Sequence, residues 1–225
     1  MDMKIAESPG STTFATLQKA IAILLQYASV IEGLFTVPVS EEVASEAWAS
    51  VAANPSPVEL GQTMKASSLH HLGAAVLLEL KNLNGSLLTN ELHDRFIAAA
   101  AITNRYSQIY VFRLLLGNLP PANYAVLRNL SLLLRCTTFK NTSMISEQII
   151  VIFGRLLMRD RAGVQFVHRQ LTAADAGTLF TVVLIEEWNY LFQYGRVSFH
   201  GPVAKVDTDP TSFTENDRSA QKLRD

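Results

Sequence analysis

From Ser11 onward, apolar residues recur at steps of three and four. Phe14, Leu17, Ile21, Leu24, Ala28 and Ile31 fall on one face, behind the polar cluster Ser11-Thr12-Thr13. This spacing predicts a long amphipathic helix. A loop over 33–38 follows. Ser40 can then cap a short helix to Ala53, with Glu41 and Glu42 in its first turn, where carboxylates complement the helix dipole. Asn54-Pro55-Ser56-Pro57 reads as its stop. The next helix is expected from Ser67 or Ser68, carrying Leu69, Leu72, Val76 and Leu80 and ending at Asn84-Gly85. One starting at Thr89 runs through Phe96 to Thr103, and another from Asn104 or Tyr106 to Gly117 on Ile109, Phe112 and Leu116. Pro120-Pro121 opens a leucine-rich helix on Tyr124, Leu127, Leu130, Leu133 and Leu134. Ser143 or Ser146 caps IIVIFGRLLM, and a long closing helix covers 172–192.

IIVIF and LFTVVLI are rich in β-branched residues and would read as strands in isolation. Helical spacing continues beyond both, through Leu156, Leu157 and Met158 and through Glu186 to Phe192. The segments are longer than a strand of about 5 to 6 residues, so both are expected to be buried helices. The fold class is therefore all-α, with one helical domain over 11–194 and an N-terminal tail over 1–10. Residues 195–225 are polar and aperiodic and read as a flexible tail or linker.

Composition narrows the function classes. The 225 residues are 48% hydrophobic and 17% charged, enough apolar surface for one large core. A net charge of -1 provides no field for wholesale attraction to nucleic acid or anionic membrane. The single cysteine, Cys136, excludes an intramolecular disulfide and a thiolate zinc cluster, and reads as an inert core thiol. No signal-peptide pattern or membrane-spanning stretch is evident, so a cytoplasmic protein is expected, recruited to membrane only through a partner or other domains.

Candidate chemistry is sparse. His70 and His71 are adjacent, hence divergent on a helix, and a third ligand is missing nearby, which favours a structural role. Glu41-Glu42 and Glu186-Glu187 diverge in the same way and read as solvated faces. No phosphate-cradling glycine loop or nucleophile elbow occurs, and no cofactor is expected. Trp48 and Trp188 read as core. Arg155, Arg159 and Arg161 cluster near a helix end, where the dipole favours cations, with an acidic partner or phosphoinositide as the rarer use.

Several separated stretches, in order, resemble the RhoGAP domain, the all-helical module that activates the GTPase of Rho-family proteins. SLHHLGAAVLLELKNLNGSLLTNELHDRF (68–96) is similar to an ungapped family run in which His70, Leu83, Leu87 and Phe96 fall on a histidine, two turn leucines and a phenylalanine. GNLPPANYAVLRNLSLLL (117–134), SMISEQIIVIFGRLLMR (143–159) and LIEEWNYLF (184–192) are similar to its later helices, so the resemblance spans about 14–194.

The same resemblance places departures where activity would lie. Gly33-Leu34-Phe35-Thr36 matches a turn whose fourth residue in the family is an arginine that enters the GTPase site. Such a finger is worth roughly three to five orders of magnitude in hydrolysis, whereas the threonine hydroxyl is short and neutral. Thr36 more often satisfies turn backbone than donates to a partner. No register slip restores the finger, because the first arginine of the chain is Arg95. The family lysine falls on Leu77 and its following arginine on Lys81, which keeps charge but loses bidentate geometry. The asparagine falls on Gln148, and the proline after phenylalanine-glycine on Arg155. The proline-X-proline turn is Asn84-Gly85-Ser86.

The resemblance thus implies a module, part of a larger protein, that binds a Rho-, Rac- or Cdc42-like GTPase without supplying a finger. Phe35, Thr36, Leu77, Lys81, Gln148 and Arg155 are its expected contact residues. Two alternatives stay open: an active GTPase activator using Arg95, Arg105 or Arg155 instead, and a scaffold that no longer binds GTPases.

Overall fold

The computed structural model describes residues 9–54, 56–83, 86–139, 143–159 and 172–193. Within them the chain forms α1 (Pro9–Tyr27), α2 (Glu41–Ala53), α3 (Pro57–Thr63), α4 (Ala66–Asn82), α5 (His93–Ala100), α6 (Arg105–Gly117), α7 (Pro121–Thr138), α8 (Ser143–Leu157) and α9 (Ala173–Glu186), then a π-helical segment, Asn189–Gln193. No strand occurs among the described residues.

Capping chemistry fixes several of the starts. Ser40 accepts from the Val43 amide, Asn104 from the Ser107 amide and Thr172 from the Asp175 amide. The last is a full capping box, with the Asp175 carboxylate accepting from the Thr172 backbone. IIVIF and LFTVVLI lie within α8 and α9, so tertiary burial outweighs their β propensity.

Four expectations are corrected. Asn54-Pro55-Ser56-Pro57 ends α2 but also starts α3, because the Ser56 hydroxyl accepts from the Glu59 amide and Pro57 occupies the first turn. The helix expected from Thr89 begins only at His93: Thr89 has φ of 61°, outside helical space, and its amide closes a turn onto Ser86 O at 2.9 Å. It also ends at Ala100, short of Thr103. α1 begins two residues before Ser11 and stops at Tyr27, although Ile31 beyond it is still buried. The closing helix stops at Glu186, and the π-helical segment carries Leu191 and Phe192 into the core. The expected stop at Asn84-Gly85, Arg161 and the tail over 195–225 lie outside the described residues.

Helix α8 packs extensively on α9, α2 on α4, and α1 on α7. Leu17, Ile21 and Leu24 of α1 are fully buried. A second centre joins α5, α6 and α9, where the Phe96 and Phe112 rings lie 5.0 and 4.8 Å from Phe180. Trp48 and Cys136 are half-buried and pack against this core.

The connection between α4 and α5 is held from outside itself. The buried Asn123 amide donates to Leu87 O at 2.9 Å, and the Ser86 hydroxyl donates to Leu157 O at 2.9 Å. Asn123→Ala leaves the Leu87 carbonyl buried without this donor. We expect a loss of about 1–3 kcal/mol, read as a shifted denaturation midpoint at unchanged m value.

Candidate partner-binding site

The connection from α1 to α2 is built as a rigid turn. The Val30 and Ile31 amides both donate to Tyr27 O, at 2.9 and 3.1 Å, closing the end of α1. Gly33 has φ of +66°, a conformation that side-chain-bearing residues rarely adopt, so glycine is favoured there and any other residue is strained. The Thr36 amide donates to Gly33 O at 3.0 Å, and the Thr36 hydroxyl donates to the same oxygen at 3.3 Å. The hydroxyl is thus engaged within its own turn, the commoner of the two uses weighed for it.

Leu34 and Phe35 point inward. Phe35 is 4% exposed and meets Phe153 of α8 edge to face at 4.9 Å. Leu34 lies over α4, whose Gly73 admits it: a Cβ at Gly73 would sit 2.6 Å from the Leu34 carbonyl oxygen. The turn is therefore fixed from below by both α4 and α8, and Thr36 is its half-exposed outer residue. Of the expected contact residues, Phe35 is placed in the core and holds the turn.

Next to the turn, α4 and α8 wall a groove of about 510 Å³ that the chain after Thr36 and the start of α2 complete. Leu77, Lys81 and Arg155 all line it, together with Val37, Val151 and Arg159. Leu77 and Lys81 of α4 are thereby brought together with Arg155, more than seventy residues on in sequence. Gln148 is exposed on α8 and does not line the groove.

The ends of the two walls are joined. The Arg159 guanidinium donates to Lys81 O and, at 3.2 Å, to Leu83 O, capping the last carbonyls of α4. Ser86 ties the following residues back to Leu157 O. The dipole use expected for this arginine cluster is realised by Arg159 on a neighbouring helix, which sequence spacing alone does not disclose. No ion pair or hydrogen bond to the Lys81 ammonium or the Arg155 guanidinium occurs among the described residues.

The other arginines differ in availability. Arg105 pairs with Glu186 at 2.8 Å and donates to Gln108 Oε1 at 3.2 Å. Arg95 is exposed on α5, away from the groove lining. Near the turn, Glu42 has its carboxyl held below the usual carboxylate range by backbone hydrogen bonding at the helix start and by the Ser40 hydroxyl. Among the described residues no group of three histidine, cysteine or carboxylate side chains gathers as metal ligands, and no helix is long and apolar enough to cross a membrane.

Comparison with known proteins gives one consistent result. A RhoGAP domain family model matches residues 15–162. The Rho GTPase-activating protein gacJJ of Dictyostelium discoideum is 31% identical over 129 residues, which are 55% of this chain and 15% of that protein. Beta-chimaerin of Mus musculus is 33% identical over 87 residues, covering 38% of this chain and 26% of its own length. The chain thus spans a minor part of the curated relatives it matches. Among solved structures, the BH domain from GRAF, the GTPase regulator associated with focal adhesion kinase, superposes with a TM-score of 0.66 at 20% identity, over 83% of this chain and 98% of that one. Human Rho GTPase activating protein 15 gives 0.60 at 15% identity, over 79% and 82%. At such identities the structural likeness shows the fold.

Proposed function

The chain belongs to the RhoGAP domain family, and from that premise we propose that it binds a Rho-family GTPase while activating GTP hydrolysis weakly or not at all. RhoGAP domains are activators of GTPases and not themselves hydrolases. The observation that carries the reading is Thr36: the turn is rigidly presented, yet its outer residue bears a neutral hydroxyl bonded back to Gly33 O. Hydrolysis gains its largest electrostatic term from a positioned arginine, and no arginine precedes Arg95. Binding asks less of the surface, and Leu77, Lys81 and Arg155 converge beside the turn to provide it.

Single-turnover GTP hydrolysis by Rho-, Rac- and Cdc42-type proteins, with and without saturating domain, tests both halves. We expect saturable binding and an acceleration below about a hundredfold, because orienting the GTPase's own groups without a finger supplies only part of the roughly 10³–10⁵ available. Acceleration above that limit overturns the weak-activator reading.

A second reading is favoured by one observation: Arg155 is exposed and lines the groove next to the turn. In that case Arg155 supplies the charge in place of residue 36, and Arg155→Ala abolishes whatever acceleration the wild type gives. Arg105 suits this role poorly because Glu186 and Gln108 already engage it.

A further inference from the structure

Helix α6 turns its two faces to different surroundings. Ile109, Phe112 and Leu116 are buried in the core, whereas Tyr106 and Tyr110, four residues apart on the other side, are 85% and 51% exposed. Three residues further on, the Arg113 guanidinium lies 5.0 Å from the ring centroid of Tyr190 in the π-helical segment, and Tyr190 is itself 38% exposed. The three tyrosines and Arg113 form one strip over α6 and the last described turn, and none of them lines the groove beside the 33–36 turn. Tyrosine with arginine is the composition of a contact surface; a merely solvated helix face carries lysine and glutamate instead.

We propose that this strip docks the chain's own C-terminal segment 207–217, DTDPTSFTEND, with Pro210 and Phe213 seated on the tyrosine rings and the segment's carboxylates turned toward the arginines of α6. The occupant is within the molecule, and the docking is independent of any GTPase.

Position favours this occupant. The described residues end at Gln193, three residues after Tyr190, and 32 residues follow. The intervening stretch 194–206 spans up to about 45 Å when extended, whereas the whole of α6 is only about 20 Å long. Every point of the strip is therefore within reach of 207–217. The tether also sets a local concentration in the millimolar range, so individually weak contacts suffice.

Charge and spacing select the same segment. Residues 105–117 and 189–193 include Arg105 and Arg113 and no carboxylate, whereas 207–217 holds Asp207, Asp209, Glu215 and Asp217 and no base. Glu186 of α9 already pairs with Arg105 at 2.8 Å, which shows that this helix end draws a carboxylate. Aromatic rings on a rigid face accept proline and aromatic side chains. In an extended chain Pro210 and Phe213 lie about 10 Å apart, which matches the rise along α6 from Tyr106 to Arg113 and its Tyr190 partner.

The test uses the full chain with Phe213 replaced by the photocross-linker p-benzoylphenylalanine, and the cross-links are mapped by mass spectrometry. They are expected within one molecule, at residues 106–113 and at Tyr190, with a yield that does not change with protein concentration. Tyr106→Ser combined with Tyr110→Ser is expected to lower the yield about fivefold or more, and Asp207→Lys combined with Asp209→Lys about twofold or more. The tyrosines are exposed and the aspartates lie outside the described helices, so neither pair is needed for folding, which circular dichroism checks. Val30→Ser, an exposed valine outside the strip, is expected to leave the yield unchanged.

Cross-links scattered over the domain, gathered at the groove, or unaffected by both double substitutions overturn the docking. Cross-linked dimers whose yield rises with concentration make the occupant the segment of a second copy and overturn the intramolecular contact. A yield that falls equally with Val30→Ser does the same, since the tyrosines then have no special part. GTPase binding enters none of these measurements, so the docking and the functional reading above can fail separately.

Discussion

Gly154→Val is expected to destabilise the domain by about 3 kcal/mol or more, among the largest effects of any single substitution here. The crossing of α8 and α9 leaves no space for a side chain at this point. A Cβ on Gly154 would lie 2.6 Å from the Thr178 amide nitrogen and 2.8 Å from the Gly177 carbonyl carbon. These are backbone atoms inside a helix, so relief requires the two helices to separate, which opens voids among Phe153, Phe180 and their neighbours. Gly177→Val meets the reciprocal obstacle, with its Cβ 2.7 Å from the Gly154 carbonyl carbon. Denaturant unfolding measures both. Gly61→Ala provides the contrast, since the nearest atom to its Cβ is the Gln26 Oε1 at 3.2 Å, the end of a movable side chain. That change is expected to be neutral or to stabilise by up to about 1 kcal/mol through helix propensity. A Gly154→Val protein with unchanged stability would show that the helices do not cross at this pair.

Thr36→Arg is expected to raise single-turnover GTP hydrolysis at least about tenfold over wild type, on any Rho-family protein that the domain binds. This recovers a part of the roughly 10³–10⁵ that a finger supplies. The gain depends on the turn being already formed, and its frame does not need threonine. Gly33 fixes the positive φ, Leu34 and Phe35 anchor the turn below, and the Thr36 amide keeps its bond to Gly33 O whatever side chain it bears. Loss of the hydroxyl bond at 3.3 Å costs about 1 kcal/mol or less. Adding Gln148→Asn to Thr36→Arg tests whether the exposed α8 position contributes to the rate. Binding retained with no acceleration would show that residue 36 does not face the reacting phosphate.

The class of fold was readable because periodicity survives where propensity misleads. IIVIF and LFTVVLI favour strands residue by residue, yet their apolar spacing runs on through α8 and α9, and burial determines the outcome. The boundaries were less readable. Ser56-Pro57 carries the signals of a helix start, but they are embedded in a cluster that also stops α2, and only the structure separates the two uses. Thr89 resembled a helix cap and instead occupies a left-handed turn, a backbone state that its side chain does not announce.

At the candidate site, residue identities were readable and directions were not. Leu77, Lys81 and Arg155 were singled out by register and do line one groove. Phe35 is expected with them from the resemblance of its turn, but its side chain, like that of Leu34, enters the core. Val37 and Val151 were missed as surface residues. A valine in an apolar run looks like core, and only its phase on α8 relative to the buried Phe153 would have set Val151 apart.

The edge-to-face contact between Phe35 and Phe153 has a mechanical consequence. Phe153 faces inward on α8, while Val151 and Arg155, two residues to either side, line the groove. One rigid helix therefore has the groove on its outer side and the support of the 33–36 turn on its inner side. A ligand that shifts α8 when it fills the groove moves the seat of Phe35, so groove occupancy and the orientation of residue 36 are linked, each biasing the other by the same free energy.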